Sequence, residues 1–202
     1  MKVGVFGGTF NPIHKGHTEA AFAFLKHASP DRLLVIPTKI PPHKAIKGDD
    51  DPAIRLEMTR LAFAEYPEYA DRIEVSDLEI KSEGKSYTYY TVQKLLAMGY
   101  DDIMLYCGTD MLLSFDTWFR FADILAVCTL VYASRLETPS ADVAAKMKML
   151  RETYGARIIE LPISPIEISS SEIREMVREG KDASAYLSDA VRGFIEERGL
   201  YR

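Results

Sequence analysis

The sequence predicts an α/β protein with a doubly wound parallel sheet and helices on both faces. Two observations predict it. Short continuous apolar runs recur at Val3–Phe6, Leu33–Ile36, Ile103–Tyr106 and Val127–Tyr132, with weaker ones at Ile73–Val75 and Arg157–Leu161. Strands covered on both faces read as unbroken apolar runs instead of alternating ones. Helical periodicity fills the gaps between these runs. Alternation of this kind implies right-handed crossovers and a Rossmann-like architecture.

Each element has its own reason. The segment His17–His27 is apolar nearly all round, as a helix packed in the interior would be. Asp51–Tyr66 places Ile54, Met58, Leu61 and Ala62 on one stripe, and Thr88, Val92, Leu95 and Leu96 form another. Glu137–Tyr154 reads as a lone amphipathic helix. Ser169 and Glu172 have the spacing of a capping box, so a helix is expected to begin near Ser170. A chain of 202 residues suits one domain over residues 1–202, with a C-terminal helical part over about 165–202 carrying "ISSSEIR".

Composition narrows the function. A net charge of −5, from 25 basic and 30 acidic side chains, does not attract a polyanion such as a nucleic acid, so any phosphate must be held by a local cluster. Cys107 and Cys128 lie in apolar runs without disulfide or CxxC spacing, as expected for buried thiols of a cytoplasmic protein. Neither a signal peptide nor a membrane span is expected. Self-association into a homo-oligomer is compatible with the sequence.

In a doubly wound sheet, ligands sit beyond the carboxyl ends of the strands near the switch point. The loops to search are therefore "GGTFNPIHKGH" (Gly7–His17), "PTKIPPHK" (Pro37–Lys44), "CGTDM" (Cys107–Met111) and "PIEISSSEIR" (Pro165–Arg174). Gly7 and Gly8 are suited to close backbone approach or positive φ. No GxGxxG follows the first strand and no acidic residue closes the second, which disfavours a dinucleotide site of the dehydrogenase type. A "GKS" at Gly84–Ser86 lacks the first glycine and the strand of a P-loop.

His14 and His17 stand at i, i+3 where a helix starts. They could ligate a metal, pack the helix entry, or donate to phosphate oxygens. Metal ligation needs a third ligand, and His27, His43 and the cysteines lack the spacing for one. The phosphate reading is preferred because a helix N-terminus already favours anions. On its own the Ser169–Glu172 stretch reads as an ordinary cap; Arg174, one turn into that helix with hydroxyls at its start, makes it suitable as a second anion cradle. Pro41–Lys44 is a stiff loop ending in a cation, and Asp110 could accept from a ribose or cap a helix.

Two of these stretches carry a family resemblance. Gly7–His17 resembles the GG-(T/S)-F-(D/N)-P-x-H-x-G-H signature of the nucleotidylyltransferase superfamily, and Ile168–Arg174 resembles its I-S-S-(S/T)-x-I-R signature. "PPHK", "RLEMTRLA", "DLEIKSEGKSYTYYT" and "GTDMLLSFDTW" extend the likeness to the bacterial nicotinate-nucleotide adenylyltransferases over nearly the whole chain. Asn11 stands where aspartate is commoner, and Ser82 where arginine often precedes the SYT stretch.

The resemblance implies adenylyl transfer from ATP to nicotinate mononucleotide, with Mg²⁺ carried on ATP oxygens and no protein metal site. It assigns catalysis to His17, His14, Arg174 and Lys44. Gly8, Thr9, Phe10, Gly108, Asp110, Ser169 and Ser170 join His14, His17 and Arg174 around ATP. Asn11, Lys44, Ser86, Tyr87, Thr88 and Trp118 are given to the mononucleotide. Ser86 is expected to cap the helix beginning near Tyr87, whose exposed N–H groups would favour the nicotinate carboxylate, and Trp118 to lie on the pyridine ring. The alternatives are a homologous enzyme acting on nicotinamide mononucleotide or phosphopantetheine, and an ATP-binding regulatory module without turnover.

Overall fold

Six strands form one all-parallel sheet: β1 (Lys2–Gly8), β2 (Arg32–Pro37), β3 (Ile73–Val75), β4 (Asp102–Gly108), β5 (Cys128–Ala133) and β6 (Arg157–Leu161). Their order is β3-β2-β1-β4-β5-β6, the doubly wound arrangement. The computed structural model describes residues 1–42, 51–133, 140–162, 166 and 168–202. Every expected strand is present, each end within two residues of the apolar run that announced it.

The helices are α1 (Lys15–His27), α2 (Pro52–Ala64), α3 (Thr88–Ala97), α4 (Thr109–Leu113), α5 (Phe121–Val127), α6 (Ala141–Tyr154), α7 (Ser170–Arg178) and α8 (Asp189–Arg198). They cover both faces. Phe24 of α1, Met58 of α2, Ile173 of α7 and Ile195 of α8 pack against Phe6, Leu33, Val35 and Met104. Val92 and Leu95 of α3, Ile124 of α5 and Leu150 of α6 pack against Val3, Val5, Leu34 and Leu105. Alternate residues of β1 thus enter opposite cores, as the two-residue period of a strand dictates. Val127, expected to open a strand, instead ends α5, and β5 begins at Cys128. Among the described residues no helix is long and apolar enough to cross a membrane.

The strand register opens the sheet at its switch point. β1 pairs with β4 only as far as Val5 opposite Leu105. Beyond that pair Phe6–Gly8 continue against β2, and Tyr106–Gly108 continue against β5. The carboxyl ends of β1 and β4 therefore fork apart, and the fork is the floor of a cleft.

Candidate active site

A cavity of about 1230 Å³ fills this cleft. Gly8, Thr9, Phe10, Asn11, His14 and His17 line it from the first loop, and Gly108 and Asp110 from the end of β4. Ser86, Tyr87, Thr88 and Trp118 line another part, and Ser169, Ser170 and Arg174 come from the start of α7. Lys44 lies outside the described residues. Among the described residues no group of three or more His, Cys, Asp or Glu is arranged to hold a metal ion.

The histidine pair is built by the first turn of α1. His14 is the N-cap, in extended conformation, and its carbonyl accepts from the amides of His17 (2.8 Å) and Thr18 (3.3 Å). Its own amide donates to Nδ1 of His17 at 3.3 Å. A nitrogen that accepts carries no proton, so the neutral His17 ring carries its proton on Nε2. The two imidazoles stack with centroids 3.6 Å apart, and Phe10 meets His17 edge-on at 5.0 Å. The ring of His17 is therefore fixed from two sides.

The glycines act partly otherwise than expected. Neither Gly7 nor Gly8 has positive φ; the left-handed residue of this loop is Phe10, at φ 51°. A Cβ on Gly8 would lie 2.5 Å from the Phe10 ring, so Gly8 makes room for the aromatic that supports His17. No atom lies within 4 Å of a Cβ built on Gly7, leaving backbone open to the cleft. A Cβ on Gly16 would lie 3.0 Å from the Ile166 carbonyl oxygen, so this glycine lets α1 approach the segment that leads to α7.

Helix α7 brings the second cluster. Ser169 caps it in a capping box: Glu172 N–H donates to Ser169 Oγ (3.2 Å), and Ser169 N–H donates to Glu172 Oε2 (2.8 Å). Ser170 Oγ donates to the Pro12 carbonyl at 2.9 Å, and Arg174 donates through one terminal nitrogen to the Asn11 carbonyl at 2.7 Å. The Lys15 amide and Nζ donate to the carbonyls of Tyr186 (2.8 Å) and Ser184 (3.0 Å), tying α1 to the α7–α8 connection. Both signatures thus meet on the Asn11–Pro12 backbone.

At the far end of the cleft the expected cap of α3 is absent. Tyr87 is the N-cap and its side chain makes no capping bond. Ser86 Oγ instead accepts from the amides of Lys39 (3.1 Å) and Ile40 (3.3 Å), joining the loop after β2 to the approach to α3. Two donors arriving from 46 and 47 residues away displaced the local cap. Trp118 lies on Phe115 with centroids 4.8 Å apart and also borders the cavity. Ser82, where the resemblance leads one to expect arginine, accepts from Lys94 through its hydroxyl and from Lys39 (2.7 Å) through its carbonyl. Two lysines from other elements supply cations there.

Two buried charged residues escaped the sequence reading. Arg55 is fully buried and donates to the carbonyls of Thr9 (2.8 Å), Thr38 (2.6 Å) and Lys39 (3.0 Å), locking the loops after β1 and β2 together. Glu79 is 9 % exposed and accepts from the Thr91 hydroxyl at 2.7 Å. Burial pushes its carboxyl above the ordinary value of 4.5, against the pull of the Thr91, Ser86 and Thr38 hydroxyls and of Lys94.

The sign of the Glu79 effect is testable. As pH rises past the ordinary value, the unfolded chain releases this proton first, so the folded state loses stability until the raised value is passed. Glu79→Gln removes that titration. The Tm of the variant relative to wild type is therefore expected to climb as pH is raised from about 4 to about 7; a difference independent of pH would show that Glu79 carries no such strain.

A fork at the switch point, faced by two helix N-termini bearing histidines, hydroxyls and an arginine, is an architecture suited to a phosphate-bearing nucleotide. Residues 5–176 match the cytidylyltransferase-like family. The chain is 33 % identical over 202 residues to a Clostridium tetani protein named "Probable nicotinate-nucleotide adenylyltransferase", covering 100 % of this chain and 99 % of that one. It is 35 % identical to one of the same name from Carboxydothermus hydrogenoformans, covering 100 % and 98 %. The fold is shared with Plasmodium falciparum nicotinic acid mononucleotide adenylyltransferase complexed with NaAD, at a TM-score of 0.77 and 18 % identity, covering 99 % of this chain and 97 % of that one. The chain belongs to the cytidylyltransferase-like family and, within it, to the nicotinate-nucleotide adenylyltransferases.

Proposed function

We propose that the protein transfers the adenylyl group of ATP to nicotinate mononucleotide, giving deamido-NAD and pyrophosphate in the biosynthesis of NAD. The observation that carries this reading is the meeting of two donor-bearing helix N-termini, α1 with His14 and His17 and α7 with Ser169, Ser170 and Arg174, on one cleft. Residues 1–202 act as one domain, and the enzyme works in the cytoplasm.

A phosphate oxygen of the mononucleotide attacks the α-phosphorus of ATP, the new P–O bond forms, and the bond to the β-phosphate oxygen breaks as pyrophosphate leaves. The nucleophile is already an anion, so no activated serine or cysteine is required. The task reduces to alignment and to neutralising charge on the leaving group. Nε2–H of His17, the guanidinium of Arg174 and the amides at the start of α7 face that charge, with Lys44 completing the cradle. Gly8, Thr9, Gly108 and Asp110 hold the adenosine side. Mg²⁺ carried in with ATP would supply further neutralisation of phosphate charge there, and would need few ligands from the protein.

Asn11, Ser86, Tyr87, Thr88 and Trp118 bound the mononucleotide, with the pyridine ring on Trp118 and its carboxylate at the N-terminus of α3. An anion there gains charge-assisted hydrogen bonds that a neutral amide lacks. The test is pyrophosphate release from ATP and Mg²⁺ with each candidate acceptor. The kcat/KM for nicotinate mononucleotide is expected to exceed that for nicotinamide mononucleotide by about 10- to 100-fold. Equal values would overturn the carboxylate assignment, turnover of phosphopantetheine alone would replace the acceptor, and no turnover with any acceptor would leave an ATP-binding module.

A further inference from the structure

The loop between β1 and α1 is gripped by α2, by α7 and also by the segment that follows α8. Helix α8 docks on α2, where Glu65 Oε1 accepts the Ala190 amide at 2.7 Å. Gly199 then ends α8 in a left-handed turn, and the Leu200 amide returns to the Ile195 carbonyl at 3.0 Å. Tyr201 follows in a left-handed conformation of its own, at φ 66°. A residue with a Cβ holds that conformation at a cost, so surrounding contacts must fix it.

Those contacts end on the candidate site. The Tyr201 hydroxyl donates to Oδ1 of Asn11 at 2.5 Å, bridging 190 positions of sequence, and lies 3.9 Å from the sulfur of fully buried Met58. Arg55, Ser170 and Arg174 hold carbonyls of Thr9, Pro12 and Asn11, all backbone groups. Tyr201 grips a side chain. Because Oδ1 accepts from the hydroxyl, the Asn11 amide is oriented and its Nδ2 donors are turned away from Tyr201.

We infer that Tyr201 is a positioning residue of the reaction, which sets the Asn11 amide, and with it the Thr9–Pro12 backbone, against the substrates. The inference rests on the adenylyl-transfer reading for its kinetic consequence. It also accounts for the residue type at position 11, since asparagine and aspartate both offer a side-chain oxygen at the distance a tyrosine hydroxyl requires.

Tyr201→Phe removes the hydroxyl and keeps the ring. With the hydrogen bond to Asn11 lost, kcat/KM for the mononucleotide is expected to fall about 3- to 10-fold. Asn11→Ala and the double variant Tyr201→Phe/Asn11→Ala are expected to show equal losses in kcat/KM, because the Asn11 amide that the hydroxyl orients is then already gone. A purely structural tyrosine would lower Tm and give losses that multiply. Amide hydrogen exchange of the intact protein provides a second readout independent of turnover: Tyr201→Phe is expected to speed exchange at Phe10 and Asn11 and leave α8 unchanged. If the wild type releases no pyrophosphate, the adenylyl-transfer reading fails while the exchange measurement still decides the role of Tyr201. Unchanged exchange at the loop, or multiplicative losses in kcat/KM, would overturn the inference.

Discussion

Replacing His17 by alanine is expected to lower kcat by on the order of 10²–10³, the scale for removing one donor aimed at charge that develops in a transition state. The expectation follows from how the ring is held. Its Nδ1 accepts the His14 amide at 3.3 Å, which assigns the proton of the neutral ring to Nε2. Stacking on His14 at 3.6 Å and the edge of Phe10 at 5.0 Å fix its plane. A donor held in this way does not reorganise when the leaving group gains charge, the condition under which electrostatic catalysis is strongest.

Pyrophosphate release at saturating ATP and nicotinate mononucleotide measures the loss. His17→Asn retains an N–H donor on a shorter stem and should recover part of it. The alanine variant also loses ring packing, so Tm is recorded beside kcat to separate damage to the loop from loss of the donor. A near-normal kcat in the alanine variant would remove His17 from the mechanism.

The second large effect is expected at Arg55, where substitution by methionine should cost about 3–5 kcal/mol of stability. Methionine fills much of the same volume, so the loss isolates the guanidinium. Three carbonyls, of Thr9, Thr38 and Lys39, then face a buried apolar group in place of a donor. Each orphaned acceptor carries the desolvation penalty of a buried polar group. In a chain of this size the loss corresponds to roughly 6–20 °C in Tm. Arg55→Lys should fall between, because an ammonium cannot reproduce the planar fork that reaches carbonyls on two loops. Thermal unfolding decides the matter, and a shift below about 1 kcal/mol would show that the two loops hold together without this residue.

The fold was legible because its strands are covered on both faces, which leaves unbroken apolar runs with few alternative readings. Helices α1, α2, α3, α6 and α7 were legible from stripes or caps. Helices α4 and α5 were not, since five and seven residues are too few to display a period. Helix α8 announces itself weakly, through Ser188 at its start and Gly199 at its end, with Val191 and Ile195 as its buried positions.

The candidate site was legible where signature residues are consecutive, as in Gly7–His17 and Ile168–Arg174. It was hidden where a role depends on a distant partner. Arg55 looks like one charged position on an amphipathic helix until the loops it binds are seen, 16 to 46 residues away. Glu79 stands in an ordinary mixed stretch, and only burial distinguishes it. Ser86 was misread for the same reason: the local rule for caps was sound, but amides from the loop after β2 reached its oxygen.

The early end of the β1–β4 ladder has a consequence for what the molecule can tolerate. Past Val5 and Leu105 the backbone ladder between the two central strands ends, and each continues on its outer neighbour alone. Across that seam the two strands are joined by side chains, the rings of Phe6 and Tyr106 meeting with centroids 4.4 Å apart. The molecule can then tolerate a wider or narrower cleft floor through exchange of two aromatic rings, with no ladder hydrogen bond lost.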